Sequence, residues 1–580
     1  MGLFNKISLR KPKRTSFNLS YSTKFSLDFG RLVPIMCEKV VPGDKSYHSH
    51  EFFMRFAPFA NQVFQGFQIR TEYFFVPTRL LWKNFEMWLS KGMLGDSTYI
   101  HPNMSYRGII QAYGNQGKVM TNSVFDYFNL PTLFKDAGEE YNIDYTSLTD
   151  QMRIDPLPFF AYCKIFLDYY ADENLDYAVL IEELENQSLQ YAQDGNSFAP
   201  LSRLFARINN VTPVSQGSTT DQIDLRFAPF KRSWPKDYFT SALPFSQRGP
   251  IVQIPLNGSG DVIVTSPGSG EVYRYQNVVM TGNTPAAAGQ EHIIKMYGDG
   301  DVTHGTTVKG GNPNNETENA ITFKAVNING NATITDLRTA IAIQEFLEKR
   351  ARSGSRAKEQ IYASFGVRTK DYRLDRAELL QAGTNYLNIG EVYTATANEG
   401  DTDIPGMAVS TGKAAHSSRQ FKHFFEEHGY VIGLMSVFPT ASYFQGIPRQ
   451  FMELDQFDYY WPEFQHIGEQ DVKDLELYLD DEGIPGTFGY QPRYSQYKSR
   501  LNQIHSEFRS NLKFMTSARE FTSQPHLSND FVQISPTRDN LYKVFRVTDV
   551  FENSAPVYVD LFHHHKMVRP MSFFGIPRFK

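Results

Sequence analysis

An almost unbroken apolar run, YVIGLMSVF, spans Tyr430–Phe438 and stops at Pro439. It is β-branched in part and too short for a comfortable helix, so it predicts a strand covered on both faces. Residues Gln65–Val76 alternate instead. Phe67, Ile69, Tyr73 and Phe75 stand between Gln, Arg and Glu, the period of a strand with one wet face. Lys24–Val41, Glu51–Phe56, Leu541–Phe551 and Pro556–Val568 read as further strands, with Pro42-Gly43-Asp44 as a turn after the first. Helical spacing is confined to two places. Phe159, Cys163, Phe166 and Tyr170 follow Pro158, and Asp336–Arg352 carries Leu337, Ile341 and Leu347 on one face, with Glu345–Lys349 and Glu348–Arg352 at i,i+4 and Gly354 to close the end. Packing explains both helices, and neither holds a cofactor box. Strands at both ends, with loops and helices between, predict a mainly β chain folded as a sandwich that joins N- and C-terminal strands.

Residues 256–331 break the pattern. They hold twelve glycines where the chain average predicts about five, along with Asn, Thr and Ser runs. Short β-prone pieces survive at Asp261–Thr265 and Val272–Val279, so this reads as an exposed insertion with small strands of its own. Thr394–Ser418 reads as a second loop-rich segment. At the other extreme, residues 1–27 contain no Asp or Glu but carry Lys6, Arg10, Lys11, Lys13, Arg14 and Lys24. Residues 1–23 are expected to form a basic arm, and 24–580 one domain with insertions.

Composition narrows the class. Aromatic residues make up 14%, with 30 Pro and 40 Gly, which leans towards sheets, turns and interfaces. The formal charge of −5 leaves any contact with nucleic acid to local patches or to a second, basic protein. The only cysteines, Cys37 and Cys163, are expected as two buried thiols in a reducing cytoplasm. The N-terminus lacks a signal-peptide core, Lys6 replaces the Ser or Thr of a myristoylation motif, and no apolar stretch reaches spanning length, so no membrane insertion is expected.

Candidate chemistry thins out on inspection. His50-Glu51-Phe52-Phe53-Met54 begins like a zinc-binding helix, but Met54 stands where the second ligand belongs. His563 and His565 share one face of a strand, yet two imidazoles without a spaced third ligand make a poor site, so structural or solvated histidines are expected. Gly298-Asp299-Gly300-Asp301 lacks the full calcium-loop spacing, and Asp480 and Asp481 are no acid/base pair. No phosphate loop, dinucleotide fingerprint or nucleophile elbow occurs. No catalytic residue, metal or cofactor is expected. Arg10, Lys11, Lys13 and Arg14, with Lys566 and Arg569 near the other end, are candidates for phosphate contact, a solvated terminus being the alternative. The rings after the apolar run (Phe438, Tyr443, Phe444, Tyr459, Tyr460 and Trp461) are candidates for a subunit interface or the core beneath it.

The same region carries a resemblance. EEHGYVIGLMSV (426–437), SYFQGIPRQF (442–451) and FDYYWPEFQHIGEQ (457–470) resemble, almost residue for residue, the major capsid protein of microviruses (Microviridae, gokushovirus-like icosahedral single-stranded DNA bacteriophages). Further similar blocks follow in family order: PGDKSYHSHEFFMRFAP (42–58) with YFFVPTRLLW (73–82), LPFFAYCKIFLDYYADENL (157–175), KRSWPKDYFTSALPFSQRG (231–249), residues 337–367, 488–509, and HHHKMVRPMSFFGIPRF (563–579). Residues 92–124, 176–225 and 256–331 match poorly. The resemblance implies an eight-stranded antiparallel jelly roll with long insertions, self-assembly as a homo-oligomer into a T=1 icosahedral shell, and a circular single-stranded DNA genome inside. It implies as partners a small basic DNA-packaging protein and a pilot protein, and a life in the virion after synthesis in a bacterial cytoplasm. The glycine excess, Asn/Thr-rich turns and poor match of residues 256–331 predict, separately, an exterior projection that meets a host cell-surface receptor. The rival from another class is a carbohydrate-active or carbohydrate-binding β-sandwich, which needs two converging acids among Glu453, Asp455, Asp458 and Glu463.

Overall fold

The apolar run becomes the central part of an eleven-residue strand, Gly429–Pro439, buried at every position. The computed structural model that places it describes residues 13–59, 63–92, 98–106, 109, 122–131, 152–186, 188–210, 227–249, 264–265, 272–273, 307–309, 320–323, 334–353, 356–393, 408–479, 486–545 and 555–574. The chain divides into two compact units, one of residues 1–246 and 350–580, the other of Gln247–Lys349.

In the larger unit the strands of four or more residues, in chain order, are β1 (Thr15–Asn18), β2 (Tyr21–Leu27), β3 (Val33–Val40), β4 (Lys45–Phe56), β5 (Phe67–Pro77), β6 (Glu378–Tyr386), β7 (Asn388–Tyr393), β8 (Ala408–Ser417), β9 (Phe421–Phe424), β10 (Gly429–Pro439), β11 (Glu469–Lys473), β12 (Thr487–Pro492) and β13 (Val557–Arg569). Seven of them form one antiparallel sheet. Here β1 and β2 lie along one side of β13, β13 pairs with β4, β8 and β9 lie along the far side of β4, and β7 flanks β8. Four form a second antiparallel sheet in the order β6-β5-β10-β3, and β11 and β12 make a separate pair.

The two sheets share one core. Val557, Val559, Leu561 and Met567 of β13 and Phe52, Met54 and Phe56 of β4 pack in the same cluster as Ile69, Tyr73 and Phe75 of β5 and Val431, Met435 and Val437 of β10. The opposite side of β5 and β10 (Phe74, Val76, Tyr430, Ile432 and Leu434) enters a second cluster with the helix α1 (Leu157–Tyr169), joined by α2 (Tyr177–Glu185) and α3 (Phe198–Ile208). Three layers therefore meet at β10, which explains its lack of alternation, while β13 has one wet face and alternates strictly between buried and exposed. At the crowded centre only glycine fits. A Cβ on Gly433 would come within 2.6 Å of the Tyr73 ring on the neighbouring strand.

Several expectations need correction. Lys24–Val41 is two strands in different sheets, β2 and β3; the chain crosses over at Gly30, whose φ of +65° and contact with Ile534 require glycine. Leu541–Val544 is a single 3₁₀ turn rather than a strand, and residues 546–554 lie outside the described residues. Thr394–Ser418 contains β8, whose Ala, Gly and Ser content gave no apolar signal, while 394–407 are not described. Cys163 is buried but Cys37 is exposed.

In the smaller unit, the described pieces Val264–Thr265, Val272–Tyr273, Thr307–Lys309 and Ala320–Phe323 form an antiparallel sheet of their own. The long helix α4 (Ile334–Ser353), of which residues 334–349 belong to the smaller unit and 350–353 to the larger, covers the predicted helical stretch, and α5 (Ala357–Phe365) follows in the larger unit. Leu337 and Ile341, expected to pack, are exposed, and Arg352 pairs with Glu469 on β11 rather than with Glu348. Gly354 and Gly298–Asp301 lie outside the described residues.

Candidate assembly surfaces and buried polar clusters

Beyond Pro439 the chain leaves the sheet and turns repeatedly, with short 3₁₀ turns at Arg449–Phe451 and Pro462–Phe464. Phe438 and Tyr443 stay in the core, and Phe444 is half-buried. The Tyr443 hydroxyl donates to Asp237 at 2.8 Å and accepts from Arg519 at 3.4 Å. Burial is the main force raising its phenol well above the ordinary value. Arg519 has no exposed side-chain surface. It lies 4.2 Å from the Phe531 ring and 5.2 Å from those of Trp234 and Phe521, donates to the Phe531 carbonyl at 2.7 Å, and faces Asp539 at 3.9 Å. A cation so enclosed is tolerable because rings, a carbonyl and a carboxylate replace its water. Nothing in the local sequence singles Arg519 out.

The rings further along point outward. Tyr459, Tyr460 and Trp461 are about half exposed, and around them Phe451 (67%), Leu454 (91%), Phe457, Ile467 and Tyr497 present apolar surface. Their backbone is nonetheless pinned. The Trp461 amide donates to the Tyr494 hydroxyl at 3.2 Å, the Trp461 indole to the Gln456 carbonyl at 2.8 Å, and Tyr460 meets Tyr494 edge to face at 5.0 Å. Tyr494 is itself buried. Rings held in place with their faces bare make an ordered apolar belt, the form that loses least entropy on docking.

The acids of this region do other work. Asp458 accepts the Leu454 and Asp455 amides at 3.1 and 3.0 Å, and these backbone bonds hold its carboxyl below the ordinary value. Glu453 is taken by Gln496 and Tyr497 at 3.0 and 3.1 Å. Asp458 is therefore not the raised-pKa acid that glycoside cleavage uses. Asp480 and Asp481 lie outside the described residues.

A second polar cluster sits inside the first core. The inward positions of β4 continue from Phe52 to His50, His48 and Ser46, and opposite them β13 supplies His563 and His565. His48 Nε2 lies 3.1 Å from His563 Nδ1, Ser46 Oγ 3.0 Å from His565 Nε2, and His563 Nε2 3.0 Å from the Ile35 carbonyl. The Tyr73 ring lies 4.6 Å from that of His48. All four imidazoles are buried, so the solvated reading holds only for His564, whose ring faces Glu51 at 3.4 Å. Burial is the main cause depressing all four, to about 2 for His48, about 3 for His50 and about 4 for His563 and His565; neighbouring imidazoles add to it at His48, His50 and His565, while the Ile35 carbonyl works against it at His563. Among the described residues no group of three or more His, Cys, Asp or Glu is arranged to hold a metal ion.

A third polar centre, also missed in the sequence, is an ion pair inside the second sheet. Arg232 donates to Glu72 and to Ser436, each at 2.9 Å, between the rings of Tyr170 and Phe438. Burial alone would raise the Glu72 carboxyl; Arg232, Tyr170 and Arg70 together hold it below the ordinary value.

The basic candidates separate. Arg10 and Lys11 lie outside the described residues, and Arg14 stacks over Phe424 at 5.4 Å. Arg569 is committed to Glu38 and Asp44. Lys566 points outward from β13 with no ion pair among the described residues.

The chain matches the family model described as capsid protein (F protein) over residues 6–579. Among curated relatives, it is 27% identical to capsid protein VP1 of Chlamydia phage 1 over 623 aligned positions, covering 99% of this chain and 97% of the relative. It is 27% identical to capsid protein VP1 of Bdellovibrio phage phiMH2K (97% and 95% covered) and 25% identical to that of Spiroplasma virus 4 (97% and 95%). A match running from the basic arm past the last strand places this chain in the capsid protein (F protein) family.

Proposed function

We propose that this chain is the major capsid protein of a small icosahedral phage, closing a T=1 shell of one chain per asymmetric unit around a circular single-stranded DNA genome. The observation that carries the reading is the end-to-end family match. The pinned belt at 451–467 is the surface through which copies meet. Its role is structural: free energy comes from apolar area buried at many repeated contacts, not from a reaction.

The larger unit is read as a jelly roll. If β1 with β2, and β8 with β9, each count as one position and the edge strand β7 is set aside as an addition, one sheet runs β2-β13-β4-β8 and the other β3-β10-β5-β6, eight positions with successive strands mostly changing sheet. That order is the support for the doubly crossed sandwich of viral shells.

The net charge of −5 leaves most neutralisation of the genome to a small basic packaging protein, and the acid-free arm, with Lys13 and Arg14 at its described end, to local contact with phosphate. A pilot protein completes the particle. The glycine-rich insertion at 256–331 meets a receptor on the host surface, consistent with its separate compact unit and its own small sheet. Electron microscopy of the expressed chain, with and without nuclease, tests the reading. Closed particles of uniform size are expected. A chain that stays monomeric at high concentration, with and without single-stranded DNA and a basic packaging protein, would refute it.

A further inference from the structure

We propose that the outward face of the seven-stranded sheet is a platform for single-stranded nucleic acid, on which aromatic rings stack bases and the cations between them hold phosphates. The inference deepens the capsid reading, which it needs only to say which nucleic acid meets this face in a particle.

Alternation buries one side of β4 and β13 and leaves the other side half-exposed from Lys45 to Ser49 and exposed from Glu51 to Arg55 and along most of β13. That outward side is neither apolar nor evenly charged. On it Tyr558 pairs with Arg55, Asp560 with Phe53, Phe562 with Glu51 and Lys566 with Tyr47. Beyond β4, Lys413 stands opposite Arg55, Lys422 opposite Tyr47 and Phe424 opposite Lys45, and beyond β13, Lys24 stands opposite Asp560. Five rings, Tyr47, Phe53, Phe424, Tyr558 and Phe562, are thus interleaved with Lys24, Lys45, Arg55, Lys413, Lys422, Lys566 and Arg14.

Charge decides the class of occupant. Against those seven cations the described part of this face sets two carboxylates, Glu51 and Asp560, in a chain whose total is −5. Asp560 is met by Lys24 at 3.6 Å and Glu51 by His564 at 3.4 Å. Lys45, Arg55, Lys413, Lys422 and Lys566 are in no ion pair among the described residues. Several rest on rings instead: Arg55 over Phe53 at 5.1 Å, Lys422 and Lys45 over Tyr47 at 5.3 and 5.7 Å. Between Phe53 and Tyr558 an open depression of about 470 Å³ is lined by Lys24, Phe25, Arg55, Val559 and Asp560. Rings and cations arranged along a sheet are the pattern that binds single strands without regard to sequence, because every base has a stackable face and every nucleotide a phosphate. A duplex keeps its bases stacked on each other and would use only the cations. A seam with a second copy of this chain would need a matching acidic face.

The test uses the purified full-length chain before assembly, a short fluorescent oligo(dT) and a duplex of equal phosphate count. Tight binding of the oligo(dT), with ultraviolet crosslinks mapping to Phe53, Tyr558 or Phe562, is expected. Joint F53S and Y558S substitution should weaken it by about fivefold or more, the low end for loss of one stacked base, and leave duplex binding nearly unchanged. K45Q, K413Q and K422Q together should make the salt dependence shallower by about 0.7 for each phosphate contact removed. All these side chains face outward, and circular dichroism checks that the variants fold. Crosslinks confined to other segments, or ring variants that bind oligo(dT) as the parent does, would overturn the proposal. Variants that bind normally yet fail to form particles would make the face a seam between copies and overturn it too. A parent chain that binds on this face but never closes a shell would leave the platform standing and refute the capsid reading.

Discussion

His50 is buried with both ring nitrogens unpartnered among the described residues, beside His48, whose Nδ1 is also unpartnered. A proton added here has neither water nor a carboxylate to answer it. The groups facing the cluster are Tyr73 from β5, Phe421 and Ser46, His416 from β8, Tyr21 over His563, and Arg569, whose charge further opposes protonation of His565. Because the folded values lie below the ordinary 6.5, the stability these groups lend is complete above about pH 6.5. It is lost as pH falls towards the folded values, by about 1.4 kcal/mol per histidine per pH unit at most. Glu38 and Asp44 work in the opposite sense, since burial raises their carboxyls and protonation then favours the fold. A single substitution separates the two. His50→Phe places a ring of similar size beside Phe52 and Tyr73, so its urea midpoint between pH 7 and 4.5 should fall less steeply than the parent's. Parallel curves for parent and variant would remove His50 from the account.

At the scale of elements, the belt between β10 and β11 is where burial and exposure change hands within a few residues. Tyr459→Ala and Trp461→Ala each remove a half-exposed ring whose backbone is pinned by Tyr494. Their cost should fall on assembly, about 2 kcal/mol or more at each occupied contact, and only slightly on the stability of the single chain. Sedimentation should show soluble oligomers in place of particles, with an unchanged unfolding midpoint; normal particles at normal yield from both would rule the belt out as a contact. The same region shows what the chain discloses before it is folded. Tyr430–Phe438 was legible because three layers demand apolar side chains on both faces, and β13 because one wet face imposes alternation; β5 alternates only in its first half and, contrary to the wet face read from its sequence, is covered on both faces beyond Arg70. The first half of β4 was not, since its inward positions are Ser46, His48 and His50, polar residues buried by partners more than five hundred positions away on β13. Strand β8 hid behind small residues, and the crossover at Gly30 behind an apolar pattern that continues across it. Arg519 and the Glu72–Arg232 pair were invisible for a related reason: their meaning lies wholly in the rings and oxygens that distant segments bring to them.

At the scale of the whole molecule, capsid chains must reconcile a surface that repeats faithfully in every copy with a surface free to change. The larger unit carries most of the family's blocks and the paired sheets, whereas Gln247–Lys349 forms a compact unit of its own. Within it, residues 256–331 combine a glycine excess with a small antiparallel sheet whose described strands pair only with one another. A segment so rich in glycine adds little apolar area, and strands that pair with one another draw on no ladder of the larger unit. Replacing Gly258–Gly330 by a short Gly/Ser link should therefore cost the larger unit little, because closing a surface loop of a different length changes its entropy only slowly. Unfolding midpoint and particle yield are expected to stay close to the parent's, while adsorption of the resulting phage to its host falls sharply. Folded subunits that no longer assemble would show instead that the insertion clamps neighbouring copies together. Unfolded subunits would make it part of the fold. Either result would transfer the host-meeting role to another surface.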